Sequence, residues 1–243
     1  MKTINRIVLT IAVASTLVLT ACNFTFEQVK GTGPLTEETR EISAFSDLEI
    51  NLPGNVYYTQ SDSYSLKIEA QANLFEYIKT KVDGDKLKIS TKSNTSFSTS
   101  KAINVYVSGP MLSEIEINGS GNLFAQGAIQ TDYVECEISG SGNAQFSHLV
   151  VDEFEGEING SGEIILTKGG AQHAEFQING SGDIKGADFI AEQVKVEING
   201  SGDVTIHAID ELDVSISGSG DVSYKGAPAV AIDQNGSGDV SKL

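Results

Sequence analysis

Serine, amide and carboxylate side chains recur at fixed places in one six-residue phrase, and that repetition decides what chemistry they can do. Seven copies run through the second half of the chain: INGSGN at 117–122, ISGSGN at 138–143, INGSGE at 158–163, INGSGD at 178–183 and 198–203, ISGSGD at 216–221 and QNGSGD at 234–239. A nucleophilic serine must be singular and held beside a base. Here the serine occurs in every copy and never within G-x-S-x-G, so acyl-transfer chemistry has no candidate. The closing carboxylates Asp183, Asp203, Asp221 and Asp239 repeat in step. As hard oxygen donors they are the one candidate set for a metal, calcium, although calcium-binding solenoids use a nonapeptide period. His148, His173 and His207 fall at different distances from their phrases, so they cannot line up as a zinc site. The expected inventory is no catalytic residue and no cofactor beyond that calcium candidate.

One cysteine carries a different chemistry. Lys2 and Arg6 precede an apolar run at 7–18, and Leu19-Thr20-Ala21-Cys22 closes the segment. Small residues before a cysteine form a lipobox, the signal for diacylglycerol transfer to the thiol and cleavage before it. The run is short for a transmembrane helix. Residues 1–22 therefore read as a lipoprotein signal peptide, with Cys22 as lipidation site and membrane anchor. Asn23 does not resemble an inner-membrane retention signal, which points to the outer membrane without saying which face. Cleavage removes two positive charges and no negative one, taking the net charge from −17 to −19. Phosphate-rich partners such as nucleic acid are repelled by such a chain. With Cys22 acylated, Cys136 has no disulfide partner.

The elements that must position these residues follow from the spacing. The leading glycines Gly119, Gly140, Gly160, Gly180, Gly200, Gly218 and Gly236 are 18 to 21 residues apart, and each is followed two residues later by Gly121, Gly142, Gly162, Gly182, Gly202, Gly220 or Gly238. A period near 20 residues predicts a solenoid. Before each phrase the chain alternates, with Ile115/Ile117, Cys136/Ile138, Phe176/Ile178, Val196/Ile198 and Val214/Ile216 on one face and mostly acidic residues on the other. After it, Leu123, Ala144, Ile164, Ile184, Val204, Val222 and Val240 form a second apolar column. Two half-buried strands joined at a glycine corner make one coil of a single-stranded parallel β-helix. Asn118, Asn159, Asn179, Asn199 and Asn235, with Ser139 and Ser217, are expected to stack as a polar ladder.

Four segments result: the signal peptide at 1–22, a tether at 23–40, irregular N-terminal coils and a cap at 41–110, and regular coils at 111–243. Leu48–Val56 matches the repeat in register, with Leu-Pro-Gly in place of Gly-Ser-Gly, and a short helix is expected between Asn73 and Lys81.

The phrases, together with Phe45-Ser46-Asp47-Leu48 and the stretch from Ala72 to Ile78, resemble the head GIN domain family of bacterial adhesin heads. The resemblance covers roughly residues 40–240. It implies a right-handed, pectin-lyase-like β-helix, a handedness that spacing does not reveal, and it implies adhesion rather than an established catalytic activity. Gln234 departs from the pattern by taking an isoleucine position in the last phrase.

A polysaccharide-cleaving β-helix is the remote alternative. It lacks support, since Arg40 is the one arginine left after cleavage and Lys168, Lys185, Lys195 and Lys225 do not cluster in sequence. The expectation is a non-catalytic envelope lipoprotein presenting an acidic solenoid surface for adhesion to a glycan or protein ligand. A structural or signalling lipoprotein without a ligand is the alternative.

Overall fold

The computed structural model describes residues 27–243; the expected signal peptide at 1–22 and its Cys22 lie outside the described residues. The chain is nearly all β, a solenoid of roughly 20 residues per turn. Glu114–Gly119 runs parallel to Tyr133–Gly140, which runs parallel to Glu153–Gly160, and so on to Ala229–Gly236. Every phrase aligns with the next, Gly119 on Gly140 on Gly160. This register puts Ile117, Ile138, Ile158, Ile178 and Ile198 in one inward column, each fully buried. Burial of each such side chain contributes about 1.5–3 kcal/mol, a gain that exists only because a neighbouring coil covers it.

The shortening of the period from 20 to 18 is absorbed away from the phrases. Between Asp183–Gly200 and Val204–Gly218 the register slips at Lys185/Ile190 and again at Ala191/Gln193, while Ile198↔Ile216 and Gly200↔Gly218 stay aligned. Residues are lost at the loose bend and kept where two columns interlock. Gly156 occupies an inward position for a related reason. A Cβ there would lie 3.0 Å from Phe154 and 3.3 Å from Phe176, whose rings fill that layer with centroids 5.8 Å apart.

The corner itself requires glycine. Gly180 has φ +141°, and a Cβ on it would lie 2.3 Å from the carbonyl oxygen of Gly160 in the preceding coil. That oxygen already accepts the Ser181 N–H at 2.8 Å. Coils can approach to hydrogen-bonding distance at the corner only because no side chain stands there.

The N-terminal end is not wound in sequence order. Asp47–Asn51 and Asn55–Gln60 stack directly on Glu114–Gly119 and Asn122–Gln130. On their other side lie the later segments Lys86–Thr91 and Asn104–Gly109, also parallel. Antiparallel strands then close the stack: Ser65–Gln71 on Asn104–Gly109, Ile78–Asp83 on Lys86–Thr91, and Leu35–Arg40 on Ser65–Gln71.

One sequence expectation is corrected here, the tether, and one is refined, the short helix. Much of the expected tether at 23–40 is structured, with Glu27–Lys30 parallel to Thr95–Ser98 and Leu35–Arg40 at the cap edge. Its apolar alternation is weak because an edge strand is held chiefly by backbone pairing. The Arg40 guanidinium adds donors to the carbonyls of Ile78 (2.7 Å) and Phe75 (2.9 Å). The helix between Asn73 and Lys81 is a 3₁₀ segment, Ala72–Tyr77, and Ile78–Asp83 is already strand. At the far end Gln234 does not break the last coil, since Ala229–Gly236 keeps register with Val204–Gly218 and the Gln234 amide donates to the Gly238 carbonyl.

Candidate functional site

The outward residues of the first strands form two continuous columns. One runs Lys86, Asp47, Glu114, Glu135, Glu155, Glu175, Lys195, Asp213; the other runs Lys88, Glu49, Glu116, Glu137, Glu157, Gln177, Glu197. Lysines sit toward both ends. Lys86 bridges Glu114 (2.8 Å) and Glu116 (2.7 Å), Lys88 meets Glu49 (2.9 Å), and Lys195 meets Glu175 (2.6 Å). Despite burial, which acts to raise it, the Glu49 carboxyl is held below its ordinary value by hydrogen bonds from Lys88 and Asn51.

Between these ends Glu135, Glu137, Glu155 and Glu157 make no ion pair among the described residues. Neighbouring coils are roughly 4.8 Å apart, so like charges repel along the column. Burial, followed by the charge of Glu135, pushes the Glu155 carboxyl up; Glu153 and Glu175 add to the rise and a hydrogen bond from Tyr133 opposes it. The second column is relieved by the phrase. The Glu137 carboxylate accepts from Ser139 Oγ at 2.8 Å, and the Glu157 carboxylate accepts from Asn159 Nδ2 at 2.9 Å. Asn179 donates to Asn159 (3.0 Å) and Asn199 to Asn179 (3.2 Å), so the expected ladder forms over these coils. Where the first column runs past the strand starts, a surface groove of about 310 Å³ opens, lined by Glu153, His173, Glu175, Gln193, Lys195 and Glu211 around buried Phe154 and Val194.

The other sequence candidates are dispersed. Asp183, Asp203 and Asp221 each turn one carboxylate oxygen to the backbone N–H of the aspartate in the next coil, at 3.2, 2.9 and 2.8 Å, the last of these N–H groups being that of Asp239. These carboxylates thus cap the stack at the corner, and among the described residues there is no group of three or more His, Cys, Asp or Glu arranged to hold a metal. His148 is exposed, His173 lines the acidic groove, and His207 lies near the Asp188–Lys225 pair. Cys136 is fully buried in an inward column, and burial pushes its thiol well above the ordinary range.

Sequence reasoning missed a second ladder on the other strand. Asn55 donates to Asn104 (3.1 Å), Asn122 to Asn55 (3.2 Å) and Asn143 to Asn122 (2.9 Å). Beside it Tyr106, Tyr57 and Phe124 stack with centroids 5.1 and 5.2 Å apart and planes within 16° and 19°. Asn122 and Asn143 end the first two phrases, so half of the ladder was visible; its continuation needed the out-of-order pairing of Asn55–Gln60 with Asn104–Gly109.

The family model described as "Putative auto-transporter adhesin, head GIN domain" matches residues 44–228. The chain belongs to the head GIN domain family. Solved structures agree. This head GIN chain is 25% identical to a putative adhesin from Bacteroides fragilis, with TM-score 0.84 over 88% of this chain and 100% of that one. A putative adhesin from Parabacteroides distasonis has TM-score 0.75 at 25% identity, covering 89% of this chain and all of that one. A structure described as a putative lipid binding protein from the same organism has TM-score 0.75 at 27% identity over the same shares. No curated protein matches the chain.

Proposed function

We propose that this head GIN chain is a non-catalytic, lipid-anchored adhesion module of the cell envelope that engages a basic partner through its first-strand face. The observation that carries the reading is the run of Glu135, Glu137, Glu155 and Glu157 without a lysine partner among the described residues, flanked by the groove at Glu153, Glu175 and Glu211. A contiguous carboxylate surface raises the local concentration of cations and steers basic surfaces toward itself. Its family and its structural neighbours are described in terms of adhesion, not catalysis. Cys22 supplies the anchor and the lipobox context directs the domain to the outer membrane, so the solenoid stands off the bilayer on an N-terminal lipid.

The lipid-binding description of one neighbour favours a second reading less well. The core columns are buried up to the last coil, where Val230 and Ile232 are exposed, and the described cavities are surface grooves rather than an apolar chamber that could take an acyl chain. An anionic headgroup would also meet the negative face.

The test uses the full chain in detergent micelles and a lysine-rich peptide as probe, with a glutamine-rich peptide as control. Binding that weakens with salt and disappears in Glu135→Gln/Glu155→Gln/Glu157→Gln supports the reading. Equal binding of both peptides, or no effect of the triple substitution, overturns it.

A further inference from the structure

From the groove at the N-terminal corner we infer a second binding site of opposite chemistry, one that takes a neutral glycan. The arch 97–103 passes over the Leu-Pro-Gly corner and leaves a groove of about 420 Å³ between itself and the corners of two coils. Asn55, Asn122, Ser100, Ser120 and Phe97 line it, and no carboxylate does. In a chain of net charge −17 this concavity has a single charged residue in its lining, and that residue is positive. The one ammonium at its rim, Lys101, is already turned to the carbonyl of Gly33 at 3.0 Å.

The arch is a built feature. Thr99 Oγ1 donates to Gln71 Oε1 (2.7 Å) and accepts the Lys101 N–H (3.0 Å), while the Ile103 carbonyl accepts the Asn55 N–H (2.9 Å). A Cβ on Gly54 would lie 2.7 Å from that same carbonyl, so the arch sits directly on the corner.

The chemistry on offer is that of a polyol site. A side-chain amide has two N–H donors and an oxygen with two lone pairs. Asn55 and Asn122 each spend one donor and one acceptor site in the ladder, which leaves each with an N–H and a lone pair for a ligand. One such amide can both donate to and accept from neighbouring hydroxyls. Two residues further along each strand, on the same face, come Tyr57 and Phe124 of the aromatic stack. Three parallel strips result: a hydroxyl-lined groove, an amide ladder repeating about every 4.8 Å, and a row of aromatic edges. Sugars carry hydroxyls and apolar C–H surface together, and an extended glycan lying along the solenoid axis meets a fresh amide at each coil. Of the nearby charged groups, Glu69 accepts a hydrogen bond from the Asn104 amide (2.8 Å) and Lys67 pairs with Glu37 (2.9 Å).

This site is independent of the acidic face, and the experiment keeps them apart. The full chain is titrated with neutral β-glucan, mannan, xylan and galactan oligosaccharides and with oligogalacturonate, with side-chain amide signals followed by NMR. The expected result is binding of at least one neutral oligosaccharide with little salt dependence, shifts of the Asn55 and Asn122 amides, and weakening by about tenfold or more in Ser120→Trp and Ser100→Trp. Both serines are exposed, so the indole fills the groove without entering the core. Lysine-peptide binding should be unchanged in these variants. The inference falls if no neutral oligosaccharide binds, if binding survives both tryptophans, or if Glu135→Gln/Glu155→Gln/Glu157→Gln abolishes it.

Discussion

Three glycine-to-alanine substitutions separate the two demands that the corner places on its residues. Gly119 has φ +105°, and a Cβ added to it would meet nothing within 4 Å; Gly182 has no positive φ of the restrictive kind, but its Cβ would lie 2.5 Å from the Gly162 oxygen and 2.6 Å from Ile158 Cγ2. Gly180 combines both demands, with φ +141° and a Cβ 2.3 Å from the Gly160 oxygen. A left-handed backbone costs an L-residue about 1–2 kcal/mol. That is the expected loss for Gly119→Ala, less about 0.4–1 kcal/mol returned by the stiffer unfolded chain. Relief of the Gly180 contact requires the coils to part where Ser181 donates to Gly160 at 2.8 Å. Breaking that bond and leaving the carbonyl unsatisfied adds about 1–3 kcal/mol. Gly180→Ala should therefore be about 2 kcal/mol worse than Gly119→Ala, with Gly182→Ala between them or close to Gly180→Ala. Urea unfolding followed by far-UV circular dichroism measures this, provided the slope of the transition is unchanged. Equal midpoint shifts for Gly119→Ala and Gly180→Ala would refute the reasoning, because conformation alone would then explain the glycines.

Glu155→Gln should stabilise the domain near neutral pH. The folded-state carboxyl is raised, so its ionisation is unfavourable for folding, and wild-type stability should rise as pH falls through the raised folded value toward the ordinary carboxylate range; this rise should shrink in the variant when melts are compared across pH. Cys22→Ser should release the domain from membranes, as fractionation after a salt wash will reveal; retention would move the anchor elsewhere. Thermal melts at matched ionic strength should not distinguish calcium from sodium, since the oxygens of Asp183, Asp203 and Asp221 already serve backbone donors, and a calcium-specific rise would reverse that assignment.

The regular coils were legible because two constraints coincide in the phrase. Alternation such as Glu114-Ile115-Glu116-Ile117 sets which face is buried, and the following glycines set where the chain must bend, so columns could be drawn before any pairing was known. The N-terminal end offered alternation, as in Lys86-Leu87-Lys88-Ile89, but no glycine corner repeating at a fixed period. Leu48–Val56 was recognisable as a coil, but nothing local says that Lys86–Thr91 and Asn104–Gly109 stack outside it rather than after it. Pairing between segments far apart in sequence is set by what remains uncovered, and here the exposed end of the first coil selects them. Leu35–Arg40 was read as tether for the same reason: its register with Ser65–Gln71 is a property of the edge that it finds. The acidic columns were visible as a pattern, whereas the groove beneath the arch required the arch to be placed.

A solenoid separates the residues that hold it together from those it displays. Inward columns must match coil by coil, because Ile178 is buried only by what lies above and below it. Outward columns carry no such rule, and the fold accepts a lysine among them, as Lys195 beside Glu175 demonstrates. Alternating charge would therefore have been available at every level and would have removed repulsion along the stack. The chain places lysines toward the ends and leaves Glu135, Glu137, Glu155 and Glu157 unmatched in the middle, where coils on both sides anchor the strands most firmly. A repulsive arrangement kept where the scaffold can best bear it, and absent from the corner groove that no carboxylate lines, is what the two proposed surfaces would require: one selecting by charge, the other by hydroxyl and amide geometry.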